Sequence, residues 1–137
     1  MYSSTLMLCA EGVVRDAESN TVSVYNIFEE IRSATFPVII PKMFILLITQ
    51  RDPTQDPPAP AASIRIQLDN DLLDETDMEV NFQDKSRNRF ILGVGGLAIT
   101  RPGTLRFIAN LANARMAEYT VTVQKIGPPE GRPVERQ

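Results

Sequence analysis

The 137-residue sequence contains no histidine and no tryptophan, and its one cysteine is Cys9. Histidine is the commonest general base near neutral pH and the commonest imidazole metal ligand. Its absence excludes Ser-His-Asp and Cys-His catalysis, and any zinc site that needs an imidazole. A lone cysteine excludes an intrachain disulfide and a cysteine-cluster metal site. Carboxylate, lysine, tyrosine or serine chemistry is what remains. Long apolar runs are missing too: no stretch approaches the roughly 18 residues of a membrane span. Positive charge is in slight deficit, with 14 basic against 17 acidic residues and a net charge of −3. A nucleic-acid-binding surface usually needs a basic excess to displace counterions, so no nucleic-acid partner is expected.

What is present fits one ordinary domain. A chain of this length buries roughly two thirds of its unfolded surface and needs neither disulfide nor metal to fold. The N-terminal Leu6-Met7-Leu8-Cys9 has the outline of a lipoprotein cleavage site. It lacks a positive n-region and a full apolar h-region, so it fails as a signal peptide. The expectation is a first strand with Cys9 as a small buried or half-buried residue, a cytoplasmic location and no membrane partner.

The stretch Asn20–Gln50 holds the two longest apolar runs and organises the chain. Before it, residues 5–10 alternate as a strand, and residues 15–20 form a polar connection rich in turn formers. Thr21–Ile27 opens as a strand. Val24, Ile27, Phe28 and Ile31 also fit helical spacing, so Asn26–Arg32 reads as a helical turn or a bulged strand. Phe36-Pro37 is a boundary. Val38–Ile40 and Met43–Ile48 are continuous apolar runs broken at Pro41-Lys42. Such a run predicts a strand buried on both faces, or one whose outer face is covered by another segment or chain. Left uncovered, that face would be a surface for self-association.

Arg51–Ala62 is a loop, because Pro53, Pro57, Pro58 and Pro60 rule out a central strand. Pro57–Pro60 has a P-x-x-P spacing that could serve as a partner ligand, with Arg51 the one flanking basic residue. The favoured reading is a semi-rigid surface connection. Ile64–Leu68, Met78–Phe82 and Phe90–Val94 alternate as strands, the last running into Gly95-Gly96, which suggests a bulge or a close backbone approach. Pro102-Gly103 is a turn. Leu105–Met116 fits a strand with a turn at Asn113-Ala114-Arg115, or a helix capped by Thr104; the strand is favoured. Tyr119–Val123 closes the domain. The prediction is all-β: a single-domain antiparallel β-sandwich of seven or eight strands over residues 1–126, at most one short helix, and a disordered tail over 127–137.

Four constellations carry possible chemistry. The acidic stretch 69–77, with Asp69, Asp71 and Asp74, could supply oxygen ligands to Ca²⁺ from a loop. It lacks the glycine and glutamate of an EF-hand loop, since Asp74 and Val80 stand at those positions, and a solvated acidic connection is the favoured reading. Lys85, Arg87 and Arg89 alternate and could contact phosphate; they are expected instead to face Asp77 and Glu79 as cross-strand pairs. Gly93–Gly96 fails the dinucleotide-binding spacing. Glu29 and Glu30 could serve a histidine-free carboxylate enzyme, but adjacent strand residues point to opposite faces.

Ala10-Glu11, the Arg15–Asn20 turn, Val22–Ile31 (VSVYNIFEEI) and Phe36-Pro37 together resemble the N-terminal pattern of a group of small uncharacterised bacterial proteins, domains of unknown function. The Pro102-Gly103 turn before two closing strands is similar as well. The resemblance covers about the first 50 residues, and beyond them only the order of strands. It implies a β-sandwich with no assigned activity and carries no catalytic residues. No catalytic, cofactor-binding or metal-ligating residue is assigned, and no cofactor. The expected function is that of a non-enzymatic protein acting through protein–protein contacts, as a homo-oligomer or with an unidentified protein partner. A Ca²⁺- or small-ligand-binding module using residues 69–77 is the alternative.

Overall fold

The computed structural model describes residues 1–127, and the expected tail is outside the described residues apart from Gly127. Nine strands follow one another with no helix among the described residues: β1 (Ser3–Arg15), β2 (Val22–Ile27), β3 (Glu30–Ser33), β4 (Val38–Gln50), β5 (Ala61–Leu68), β6 (Asp71–Glu79), β7 (Arg87–Ile99), β8 (Gly103–Leu111) and β9 (Ala114–Lys125). They form two sheets, ordered β2-β1-β4-β7 and β3-β9-β8-β5-β6. The expected all-β sandwich is the observed architecture. Its pairs are antiparallel except β3 with β9, which run parallel.

The alternating apolar residues of both sheets meet in one core. Met43, Ile45 and Leu47 of β4 face Ile64, Ile66 and Leu68 of β5, Leu105 and Phe107 of β8, and Val121 and Val123 of β9 in a single buried cluster. Each fully buried side chain of this size contributes about 1.5–3 kcal/mol by leaving water. Cys9 lies in the same layer, fully buried, with its Sγ 3.5 Å from the Met43 Sδ.

β4 is the central strand of the first sheet, and Pro41-Lys42 does not end it. The pairing runs without a slip from Val38↔Ile99 to Gln50↔Arg87, with Pro41 across from Gly96. The facing does change there. On β4 the core-facing positions are 38 and 40, then 43, 45 and 47; on β7 they are 90, 92 and 94, then 97 and 99. Both strands rotate by one residue at the same level. Proline gives up no ladder donor needed elsewhere, and Gly96 supplies a left-handed φ of +65° that a side chain would resist. The bulge expected at Gly95-Gly96 is absent from this register; a paired rotation of both strands stands in its place.

The outer face of β4 is also covered, by the chain itself. Leu46 is 3% exposed, and it packs with Leu8 and Ala10 beneath Val22 and Val24 of β2. Beyond Gly12 the β1–β2 hairpin folds back over the sheet. Its tip reaches β7, where Arg89 donates to the carbonyl and side-chain oxygens of Asn20 at 3.0 and 2.8 Å. The apolar run Met43–Ile48 is therefore buried on its inner face and, on its outer face, buried at Leu46 and half-buried at Phe44 and Ile48 within one chain, which weakens the observation that pointed from this run to self-association.

Several local expectations are corrected. Asn26–Arg32 is neither helix nor bulged strand: β2 ends at Ile27, and β3 begins at Glu30 in the opposite sheet. That sheet change breaks the period. The acidic stretch is not a loop. Asp71–Glu79 is strand β6, joined to β5 through the two residues Asp69 and Asn70, and Val80 and Phe82 are buried beyond its end. The β8–β9 turn is Ala112-Asn113, both left-handed with φ of 52° and 64°, as a two-residue hairpin requires. Alanine is a poor residue for that conformation, and nothing in its chemistry signals the turn.

Candidate functional site

The loop after β6 is built on Arg51. This arginine is 9% exposed although it follows the surface end of β4. Its guanidinium donates to three backbone carbonyls, those of Lys85, Asp56 and Gln83, each at 2.8 Å. It also lies over the buried Phe82 ring, 5.5 Å from the centroid. Phe82 N–H in turn donates to the Pro58 carbonyl at 2.7 Å, and the Tyr2 hydroxyl donates to the Pro57 carbonyl at 2.5 Å. One cation thus ties the proline-rich connection to the segment 82–86. Arg51 and these two proline carbonyls are engaged within the chain, while the residues Pro57, Pro58 and Ala59 stay exposed.

On the outer side of that loop is a groove of about 440 Å³. Its walls carry Lys85, Arg87 and Arg89, with the amides of Asn20, Asn81, Gln83 and Asn88 between them. Arg87 and Arg89 lie on β7, while Lys85 is in the loop before it, so the extended segment expected over all three begins only at Arg87. Their expected partners do not: β7 pairs with β4, while Asp77 and Glu79 lie on β6, an edge of the other sheet.

Above the groove β7 continues as the edge of its sheet. From Phe90 to Ile99 it reads FILGVGGLAI, with no charge and no proline. The other edges differ. β3 has four residues, and β2 has six with a left-handed Asn26 near its end. β6 carries Asp71, Asp74, Glu75, Asp77 and Glu79.

The acidic candidates do not converge on a cation site. Arg101 donates to Asp69 and, at 2.6 Å, to Asp71, so a guanidinium already occupies the space between them. Asp69 also accepts from the Thr104 N–H at 3.0 Å, and this bond, with Arg101 beside it, holds its carboxyl below the usual carboxylate range. Asp74 takes the N–H of Glu75 at 2.8 Å. Among the described residues no group of three or more carboxylates or thiols has metal-holding geometry. Glu30 pairs with Arg32 at 2.6 Å, and Glu118 pairs with Arg106 at 2.7 Å, which lowers the Glu118 pKa.

The model of a family of unknown function, DUF6941, matches residues 5–124. The chain belongs to this family. No curated protein matches it in sequence. Among solved structures, this DUF6941 chain is similar to the CARDB domain of the PF1109 protein from Pyrococcus furiosus, crystallised in complex with di-metal ions. The identity there is 9%, the match covers 88% of this chain and 94% of that one, and the TM-score is 0.41. An immunoglobulin-like protein (PA1606) from Pseudomonas aeruginosa is 12% identical over 90% and 96%, with a TM-score of 0.45. A beta-glucosidase from Listeria innocua, in complex with isofagomine, is 7% identical over 93% of this chain and 17% of its own, with a TM-score of 0.46.

For the DUF6941 chain, then, the structure brings together Lys85, Arg87 and Arg89. It leaves Asp74 apart from the Asp69–Asp71 pair. Sequence reasoning missed Arg51. The signal available was an arginine placed directly after an apolar strand and before a proline-rich loop, a position where a surface cation has no special reason to stand. It also missed the open β7 edge, because edge position depends on sheet order.

Proposed function

We propose that this chain is a non-enzymatic interaction domain that pairs with a second copy of itself along β7. The observation that carries the reading is the contrast among edges: β7 is long, and beyond Arg89 it carries no charge. An edge strand presents unpaired N–H and C=O groups, and proteins usually blunt such edges with short strands, charges, prolines or bulges. Main-chain pairing across an open edge is a general mode of protein contact. Self-pairing suits this strand. An antiparallel register centred on Leu92 would put Arg87 and Arg89 across from Leu97 and Gly95 of the second copy, so like charges do not meet. The row Phe90, Leu92 and Val94, only partly buried at the edge, would continue into the same row of the other copy.

Light scattering behind a sizing column tests this. The expected mass is about twice 15.3 kDa, falling to one chain in the double variant Ile91→Lys/Gly95→Lys. Both positions tolerate a side chain: Ile91 is 38% exposed, and a Cβ at Gly95 meets only the Pro41 carbonyl at 3.7 Å. A monomer at millimolar concentration would sink the reading, as would a dimer that survives both lysines.

A further inference from the structure

Apart from the β7 pairing, the charge pattern of the molecule singles out a second feature. Arginines here are normally matched. Among the described residues Arg32, Arg65, Arg101, Arg106 and Arg115 each have a carboxylate within 4 Å. Arg51 is buried on carbonyls. Arg15, Arg87 and Arg89 have no carboxylate at that distance, nor does Lys85; the last three line the groove, and Arg15 reaches its wall through Asn20. Arg15 and Arg89 both donate to one acceptor, the Asn20 side-chain oxygen, at 3.3 and 2.8 Å. Two guanidinium groups thus converge on a neutral amide.

The nearby acids do not answer this charge. Asp16 turns its carboxylate onto the N–H groups of Glu18 and Ser19 in its own turn. Glu18 is exposed on that turn. Asp84 follows Gln83 in the loop but does not line the groove. The lining otherwise offers amide donors and a backbone held rigid from below by Arg51. Two cations, free among the described residues, beside the anchored Arg89 and with amide donors between them, suit a tetrahedral oxyanion, because charge-assisted hydrogen bonds to oxygen are the strong ones and arginine presents them as a fork. We infer that the groove lined by Lys85, Arg87 and Arg89 binds a phosphoryl oxyanion, either free phosphate or the phosphate of a small organic ester. A groove of about 440 Å³ falls within the size range of small-molecule sites.

Thermal unfolding of the full chain tests the assignment, with inorganic phosphate and phenyl phosphate as probes and sodium chloride at matched ionic strength as reference. A ligand that binds only the folded state must raise Tm. A rise of several degrees with both probes supports the free oxyanion. A rise with phenyl phosphate alone supports the ester. In Lys85→Gln/Arg87→Gln the apparent Kd should rise at least tenfold. Both side chains are exposed and have no hydrogen-bonded partner among the described residues, so the variant keeps its fold. Lys125→Gln, at the opposite end of the sandwich, should leave Kd unchanged. Neither probe raising Tm above the chloride reference would overturn the inference, and so would an undiminished shift in the double variant.

Discussion

Replacing Arg51 by methionine keeps most of the side-chain bulk and removes the cation. Three part-buried carbonyls, at Lys85, Asp56 and Gln83, then lose their donors at once. Leaving a buried acceptor unmet costs about 1–3 kcal/mol, and hydrogen bonds to a charged group lie toward the upper part of the range. The three do not add fully, because the loop 82–86 is near the surface and can relax to admit water. A net loss of about 3–4 kcal/mol is expected. With an unfolding entropy of about 2.1 cal/mol/K per residue, the 127 described residues give about 0.27 kcal/mol/K. Tm should therefore fall by about 11–15 °C in a calorimetric or circular-dichroism melt. Arg51→Lys keeps the charge but cannot span three diverging carbonyls, so it should fall between the two. A methionine variant within about 4 °C of the parent would refute the claim that Arg51 holds the loop. Equal melting of the lysine and methionine variants would assign its role to the apolar stem instead.

Two further outcomes follow from burial and charge. Burial pushes the Cys9 thiol up to about 12, against a small opposing pull from the Ala10 backbone. A raised pKa contributes stability that is present below the unfolded value, near 8.5, and is lost as pH rises toward 12. The native protein at pH 8 should leave a disulfide reagent unreacted for as long as it stays folded and react fully in urea; fast labelling without denaturant would contradict the buried position. The carboxyls of Asp69 and Glu118 are held low, by the Thr104 N–H and Arg101 in one case and by Arg106 in the other. Their contribution is present above the unfolded values, about 3.9 and 4.3, and lost as pH falls through the folded ones. Tm should be level from pH 7 to 5 and drop below about pH 4, with the drop shallower in Asp69→Asn/Glu118→Gln; an equally steep drop in that variant would remove these two pairs from the explanation.

Period-two alternation was enough to place most strands, because a half-buried strand writes its facing directly into the chain. It failed where facing changes inside an element. Pro41-Lys42 looked like a break because the two apolar runs are out of phase, and the structure shows one strand that turns over. Asp71–Glu79 was hidden for the opposite reason. It is an edge strand at the open side of the sandwich, so only Leu73, Thr76 and Met78 are even partly shielded. Its acidic composition therefore reads as loop. The basic triad was visible as a triad. Its neighbours were not, since Asn20 comes from a hairpin that folds across the sheet, and no local pattern encodes that return.

The same folding-back bears on how the surface should be read. An apolar run as long as Met43–Ile48 invites an interface on its outer face, yet the β1–β2 hairpin already covers it. The outer face of the second sheet offers no better contact. Ile108 is 3% exposed there, between its cross-strand neighbours Arg65 and Glu118 and beside Arg106 of its own strand, with Arg106 and Glu118 paired at 2.7 Å. With the middle of one outer face covered by the hairpin and the other face charged around Ile108, the edges of the sandwich are the surfaces to compare. Three edges carry devices that discourage pairing, and these devices act through different physics: shortness, left-handed backbone and repelling carboxylates. The fourth carries cations only at its first residues, beside the groove. An edge guarded by cations at one end and turned by the left-handed Gly96 near the other does not exclude a partner strand between them. It restricts the registers in which one can add, which is the property a specific pairing needs and a merely unprotected strand would lack.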